Sequence, residues 1–193
     1  MTLLYSLLDE PLIGARLAAD GSRIHLSLPA LFVALADDQI RDFPALRPHQ
    51  RHPWHAFLVQ LAAMALHQAG QTVPFTDEAA WKAALLALTA DDPDGAAWCL
   101  VTPYERVAFL QAPEPTGPIG ERKDDTFAAD RLDILETAKN HDLKRERIAH
   151  PTPEDWIFTL VSLQTAAPYG GGAGGYASVV RMNASHYTQL HNS

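Results

Sequence analysis

Two segments in the last third of the chain concentrate residues that could do chemistry. Lys139-Asn140-His141-Asp142-Leu143-Lys144-Arg145-Glu146-Arg147 puts four cations, an amide and an imidazole within nine positions. Lysine and arginine neutralise phosphates, and one or two free side chains in such a run can reach a base edge. The plain alternative is a solvated loop. Farther along, Tyr169-Gly170-Gly171-Gly172-Ala173-Gly174-Gly175-Tyr176 holds five of the chain's 11 glycines. Without Cβ atoms, such a backbone can come close to another backbone or to a base. The plain alternative is a linker, but the segment is clamped by two tyrosines and has no serine or proline inside it.

Other constellations fall short of a reactive site. Gly170, Gly172 and Gly175 satisfy G-x-G-x-x-G literally, but that fingerprint needs a strand before it and a helix after it, and here the order is reversed. No Gly-Lys-Ser/Thr follows, so no phosphate loop and no nucleotide cofactor are expected. His49, His52 and His55 are spaced by three, but Pro53 disfavours helix at His52 and no acid lies close in sequence, so no metal site is expected. His67 reads as a core-facing histidine on its helix. Cys99 sits in an apolar context beside Trp98, with no histidine nearby to activate it. The carboxylates of Asp91-Asp92-Pro93-Asp94 and Asp124-Asp125 read as solvated turns. His186, His191 and Asn192 lack the spacing of a histidine-asparagine nuclease.

Composition narrows the class. At 193 residues, 47 % apolar and 20 % charged, the chain has the balance of a globular domain with no need of a disulfide or metal staple. The lone cysteine suits a reducing cytoplasm. No apolar run approaches the roughly 18 residues of a membrane span, and the N-terminus lacks the basic region of a secretory signal. The formal net charge is −8. Residues 1–136 hold 10 Lys+Arg against 19 Asp+Glu, a balance of −9, and residues 137–193 hold 5 against 4, a balance of +1. A local basic segment acts within a Debye length whatever the global sign.

The elements that must position these segments follow from hydrophobic period and turn chemistry. Residues 12–17 and 23–28 read as a hairpin around Asp20-Gly21. A short helix opens at Ser27 or Pro29, and residues 41–53 read as a proline-broken loop. Residues 54–69 form the strongest helix, with Trp54, Phe57, Leu58, Leu61, Met64, Ala65 and His67 on its inner stripe and Gly70 closing it. Thr76 caps a third helix through Trp81, Leu85 and Leu88. Short strands are expected at 98–101 and 107–111, and a long loop over 112–125. Residues 126–138 stay ambiguous. Thr152-Pro153-Glu154-Asp155 starts a helix that buries Trp156, Ile157, Leu160, Val161 and Leu163 and ends by Pro168. Residues 177–182 alternate like a strand. The fold class is α+β, with an N-terminal β-hairpin, amphipathic helices and short strands around one core, and an exposed glycine loop near the C-terminus. Residues 1–183 read as one domain and 184–193 as a polar tail.

In that frame the basic segment lies just before the Trp156 helix and the glycine loop just after it. A helix of about 15 residues separates them by only ~20 Å, within the width of a DNA duplex. A cation cluster beside a glycine backbone suits the minor groove, where close approach matters and the base code is degenerate.

The order Lys139 to Lys144, then Trp156-Ile157-Phe158 to Leu163-Gln164-Thr165, then the glycine loop and Arg181-Met182-Asn183, resembles the large subunit of the type I-E CRISPR Cascade complex, the CasA family. Leu7-Leu8-Asp9-Glu10-Pro11-Leu12-Ile13 resembles that family's start, which commonly has tryptophan at the place of Leu12. His52-Pro53-Trp54-His55-Ala56-Phe57 and Phe109-Leu110-Gln111 are weaker matches. Members of the family are longer, so the expectation is an N-terminal part or a compact variant. Gly175-Tyr176-Ala177 stands where glycine-asparagine-tyrosine is usual.

The resemblance implies a non-catalytic subunit that reads the protospacer-adjacent motif of double-stranded DNA and helps the guide RNA to pair. It implies DNA contacts from Lys139, Asn140, Lys144 and Arg145, from Gly170, Gly171, Gly172, Ala173 and Gly174, and from Arg181 and Asn183. The implied partners are target DNA, other Cascade subunits, CRISPR RNA and the helicase–nuclease of the system, in the cytoplasm, with no cofactor, metal or membrane. Two other readings stay open: an interaction module whose acidic body docks a partner, with the glycine loop as a hinge, and a small hydrolase using His186 or His191.

Overall fold

In a computed structural model, the described residues are 3–113, 129 and 150–166. They form an α+β fold of four helices and two small antiparallel sheets. The three-stranded sheet has the order β3-β2-β4, with β2 at Ile13–Leu17, β3 at Arg23–Leu26 and β4 at Ile40–Asp42. The expected hairpin is β2–β3, in register Ile13 to Leu26 and Arg16 to Arg23. Gly21, with φ of 73°, supplies the left-handed residue its turn needs. The second sheet pairs β1 (Leu4–Ser6) with β5 (Cys99–Val101).

Helix α1 (Leu28–Ala36) starts at Ser27, whose Oγ accepts from Ala30 N at 3.3 Å. Helix α2 spans Arg51–Gln68, three residues longer at its start than the pattern predicts. Pro53 lies in its first turn, where no backbone N–H has an intrahelical partner, so proline is tolerated there. Residues 41–50 are likewise not all loop: β4 ends in them and a 3₁₀ turn spans Pro48–Gln50. Helix α3 (Glu78–Ala87) is capped by Asp77 rather than Thr76, the Asp77 carboxylate accepting from Ala80 N at 2.8 Å. Helix α4 spans Pro153–Ala166.

One cluster of buried side chains runs through all four helices and both sheets' inner faces. Trp54 is its hub. Its ring meets Phe158 of α4 edge-on at 4.9 Å, Phe43 at 5.7 Å and Phe57 at 5.7 Å. Trp81 of α3 stacks on Phe32 of α1 at 4.6 Å, and its indole N–H donates to the Phe75 carbonyl at 3.1 Å. Aromatic pairs of this kind add to the stabilisation from burial alone.

Two residues assigned to the inner stripe of α2 are not there. Met64 is 57 % exposed, and His67 is exposed in the last turn. The buried stripe of Trp54, Phe57, Leu58, Leu61 and Ala65 is narrower than the apolar count suggests, and Met64 and His67 fall outside it, while the end of α2 still meets α3 through Gln68 Nε2, which donates to the Ala87 carbonyl at 2.8 Å. Residues 107–111 do not form a strand. Leu110 adopts φ of 53°, and Ala108 and Gln111 exchange backbone hydrogen bonds at 3.2 and 3.0 Å, so the chain reverses there. No helix among the described residues is long and apolar enough to cross a membrane.

Truncating the hub should cost far more than changing the misassigned positions. Trp54→Ala is expected to lower unfolding free energy by about 3–5 kcal/mol. Met64→Lys and His67→Ala should stay within about 0.5 kcal/mol of the parent. Urea unfolding of the three variants measures this. A loss at His67 comparable to that at Trp54 would contradict the burial.

Candidate nucleic-acid interface

Helix α4 stands in sequence between the basic segment and the glycine loop, and the structure fixes both of its ends. Its start follows the predicted capping chemistry. Thr152 Oγ1 accepts from Asp155 N at 3.3 Å, while the Asp155 carboxylate accepts from Thr152 N at 2.8 Å and from Thr152 Oγ1 at 2.7 Å. This reciprocal pair satisfies two backbone donors that a helix start leaves over. Pro153 occupies the first helical position, and Glu154 and Asp155 place negative charge at the positive end of the helix dipole.

Glu154 does more than decorate the first turn. Its Oε1 accepts from Gly14 N, across 140 residues of sequence, at 2.6 Å. A Cβ on Gly14 would sit 2.8 Å from that oxygen, so the absence of a side chain on β2 is what admits the carboxylate. Burial pushes the Glu154 carboxyl above the usual carboxylate range, opposed by the Gly14 hydrogen bond; the charges of His25 and Arg23 also oppose it.

The middle and end of α4 are held by the core. Ile157, Leu160 and Val161 are buried as expected, and Phe158 is buried with them. Trp156 and Leu163 are only partly buried, and three polar residues, Thr159, Ser162 and Gln164, are buried in their place. Gln164 Nε2 donates to the Leu110 carbonyl at 2.9 Å, and Thr165 Oγ1 donates to the Val161 carbonyl at 2.5 Å. The left-handed turn at Leu110 thus presents the acceptor that holds the last turn of α4. A helix of 14 residues held at both ends is a rigid spacer of about 21 Å.

Beside α4 lies a cavity of about 260 Å³ lined by Tyr5, Val101, Gln111, Pro151, Trp156 and Leu160, among others. It is smaller than the range of about 300–1,000 Å³ typical of ligand pockets, so it suits one ring or one side chain. Tyr5 is 41 % exposed and adopts φ of 60°, a conformation that costs a non-glycine residue roughly 1–2 kcal/mol. The next residue is held in place by Glu10, whose Oε1 accepts from Ser6 N at 2.8 Å.

Lys139, Asn140, Lys144, Arg145, Gly170, Gly171, Gly172, Ala173, Gly174, Arg181 and Asn183 lie outside the described residues, as do His186, His191 and the tail. The expected loop over 112–125, beyond its first two residues, and the expected strand over 177–182 lie outside them too. What the structure adds is the spacer between the two candidate segments. Sequence reasoning missed Gly14 and Tyr5. A glycine inside a strand signals a close approach by another group; nothing local signals the backbone of Tyr5.

The remaining reactive side chains are accounted for structurally. Cys99 is buried, its Sγ lies 3.6 Å from the Gly95 carbonyl, and burial pushes its thiol up, which disfavours the nucleophilic thiolate. The turn at 91–94 is more than a solvated loop. Arg106 binds Asp92 at 2.6 Å and Asp94 at 2.5 Å, and this guanidinium lowers the Asp94 carboxyl to about 2. The Asp92 carboxylate also accepts from Ala97 N at 2.6 Å. Among the described residues no group of three His, Cys, Asp or Glu side chains is placed to hold a metal ion.

The Glu154 contact carries a pH signature. Its native value is raised, so its contribution to stability is full below the unfolded value of roughly 4.3 and is lost as pH rises through the native value. Glu154→Gln keeps an acceptor for Gly14 N–H without a charge, so melting temperatures across pH 4–8 should show the parent losing ground to this variant as pH rises. Glu154→Ala leaves a buried donor unpaired and should cost about 1–3 kcal/mol. Equal stability of the Gln and Ala variants would show that the contact does not anchor the helix. Comparison of the chain with protein-family models, curated proteins and solved structures finds no match.

Proposed function

We propose that this chain is a non-catalytic DNA-recognition subunit of a type I CRISPR RNA-guided surveillance complex. It reads a short motif flanking the target in double-stranded DNA and aids pairing of the guide RNA. Lys139, Lys144 and Arg145 contact phosphates, Asn140 and Asn183 reach base edges, Arg181 adds charge, and the backbone of residues 170–174 enters the minor groove. Other subunits and CRISPR RNA supply the rest of the assembly, and the helicase–nuclease acts on the opened target.

The observation that carries this reading is the anchoring of α4 at both ends. Arg147 lies five positions before Thr152, and Tyr169 lies three positions after Ala166. A spacer of about 21 Å between a phosphate-binding segment and a glycine backbone matches the width of a duplex. The acidic remainder of the chain fits the same reading: it repels phosphate elsewhere and leaves recognition to the assembled complex.

The test uses the chain assembled with its guide RNA and partner subunits on target duplex. Lys139→Ala and Lys144→Ala should weaken binding, and each should lower the salt slope by about one unit as one phosphate goes unneutralised. Gly171→Asp should abolish motif discrimination while leaving the melting temperature near the parent's. Unchanged salt slopes in both lysine variants, together with normal discrimination by Gly171→Asp, would overturn the proposal. The isolated chain should bind random duplex only weakly at physiological salt, and submicromolar affinity there would count against a role that depends on assembly.

A further inference from the structure

A larger cavity lies away from α4. It is a groove of about 800 Å³ between α1, α2 and the segment from β4 to Leu46, with Pro74 and Trp81 closing one side. Its floor is aromatic, from Phe32, Phe43, Trp54 and Trp81. One wall is a single stripe of α2 at helical spacing: Arg51, His55, Val59, Ala62 and Leu66. Val59 is 54 % exposed, an apolar side chain left in water on a wall that is otherwise well packed beneath. From Arg51 to Leu66 the stripe is about 22 Å long, room for three to four turns of helix or a short extended segment.

The groove is polarised. Arg51 and His55 stand at its end, and Arg51, which is exposed, makes no ion pair among the described residues. The first turn of α2 contains no acid, so the helix dipole adds positive potential at the same end. The one carboxylate in the lining, Asp42, is already 3.4 Å from Arg16. On a chain of net charge −8, this is an apolar trough with a cationic end.

We propose that the groove binds a segment of a partner protein that carries large apolar side chains and an adjacent aspartate or glutamate. The apolar side chains cover Val59 and the aromatic floor, and the carboxylate pairs with Arg51 and His55. This is the groove mode of peptide recognition, with apolar anchors setting affinity and the terminal ion pair setting direction. Nucleic acid fits less well, because phosphates would engage one end and leave the apolar wall uncovered. No α4 residue lines the groove, so the proposal does not depend on DNA recognition.

The test is selection of a displayed library of random 12-residue peptides on the full chain, with Val59→Asp as counter-target. Both Val59 and Arg51 are exposed, and an unchanged melting temperature establishes that Val59→Asp and Arg51→Glu fold. Peptides bearing two or more large apolar residues and an acid should be enriched. Val59→Asp should weaken them at least tenfold, and Arg51→Glu about tenfold. Replacing the peptide's acid with lysine should restore binding to Arg51→Glu. The proposal is overturned if no enriched peptide is lost on Val59→Asp, or if the enriched set shows no acidic preference. It is also overturned if a short DNA duplex displaces the peptides, or if the parent chain dimerises and Val59→Asp makes it monomeric, since the occupant would then be a second copy.

Discussion

The arrangement depends on one contact between distant parts of the chain, the hydrogen bond from Gly14 N to the Glu154 carboxylate. It ties the first turn of α4 to the first sheet, so a segment late in the chain completes a core begun in the first thirty residues. A side chain at Gly14 would make the Glu154 carboxylate shift from its present place, since a Cβ there lies 2.8 Å from Oε1. The contact also has an electrostatic cost, since burial raises the carboxyl against its ionised form. Such a cost persists where position matters, and here it sets where α4 begins. The hydrogen bond from Gln164 to Leu110 does the same for its other end, and Phe158 against Trp54 holds the middle. The helix is thus held at its start, middle and end.

Charge is distributed to match. Most of the chain is acidic, and its described cations are largely engaged. Arg106 closes the 91–94 turn, Lys82 pairs with Asp9, and Arg16 pairs with Asp42. Pairs as exposed as these contribute little stability each. Their effect is to leave little unneutralised positive potential on the body. Arg23 and Arg51 make no ion pair among the described residues, and Arg51 stands at the end of the apolar groove.

The elements with strong local chemistry were legible. Asp20-Gly21 marked the hairpin, Thr152-Pro153-Glu154-Asp155 marked the start of α4, and Gly70, with φ of 66°, marked the end of α2. Failures came where tertiary context decides. Pro53 looked like a helix breaker but sits in the first turn, where its missing N–H costs nothing. Met64 and His67 sit on an apolar-looking helix but fall outside the narrow stripe that is buried. Val107 to Gln111 has strand composition, but Leu110 reverses the chain to offer its carbonyl to Gln164. The candidate site was legible as residue types and spacing alone. The anchoring of α4 was not, because a contact spanning 140 residues leaves no local pattern beyond a glycine in a strand.

The central claim is that α4 presents the segments on either side of it to one DNA duplex. The most direct measurement is photo-cross-linking of target duplex, carrying a reactive base analogue in the flanking motif, to the assembled complex, with cross-linked peptides mapped by mass spectrometry. The account predicts cross-links to this chain both in residues 139–147 and in residues 170–176, and none on the acidic 91–94 turn. Cross-links confined to other subunits, or to this chain's acidic face, would contradict it.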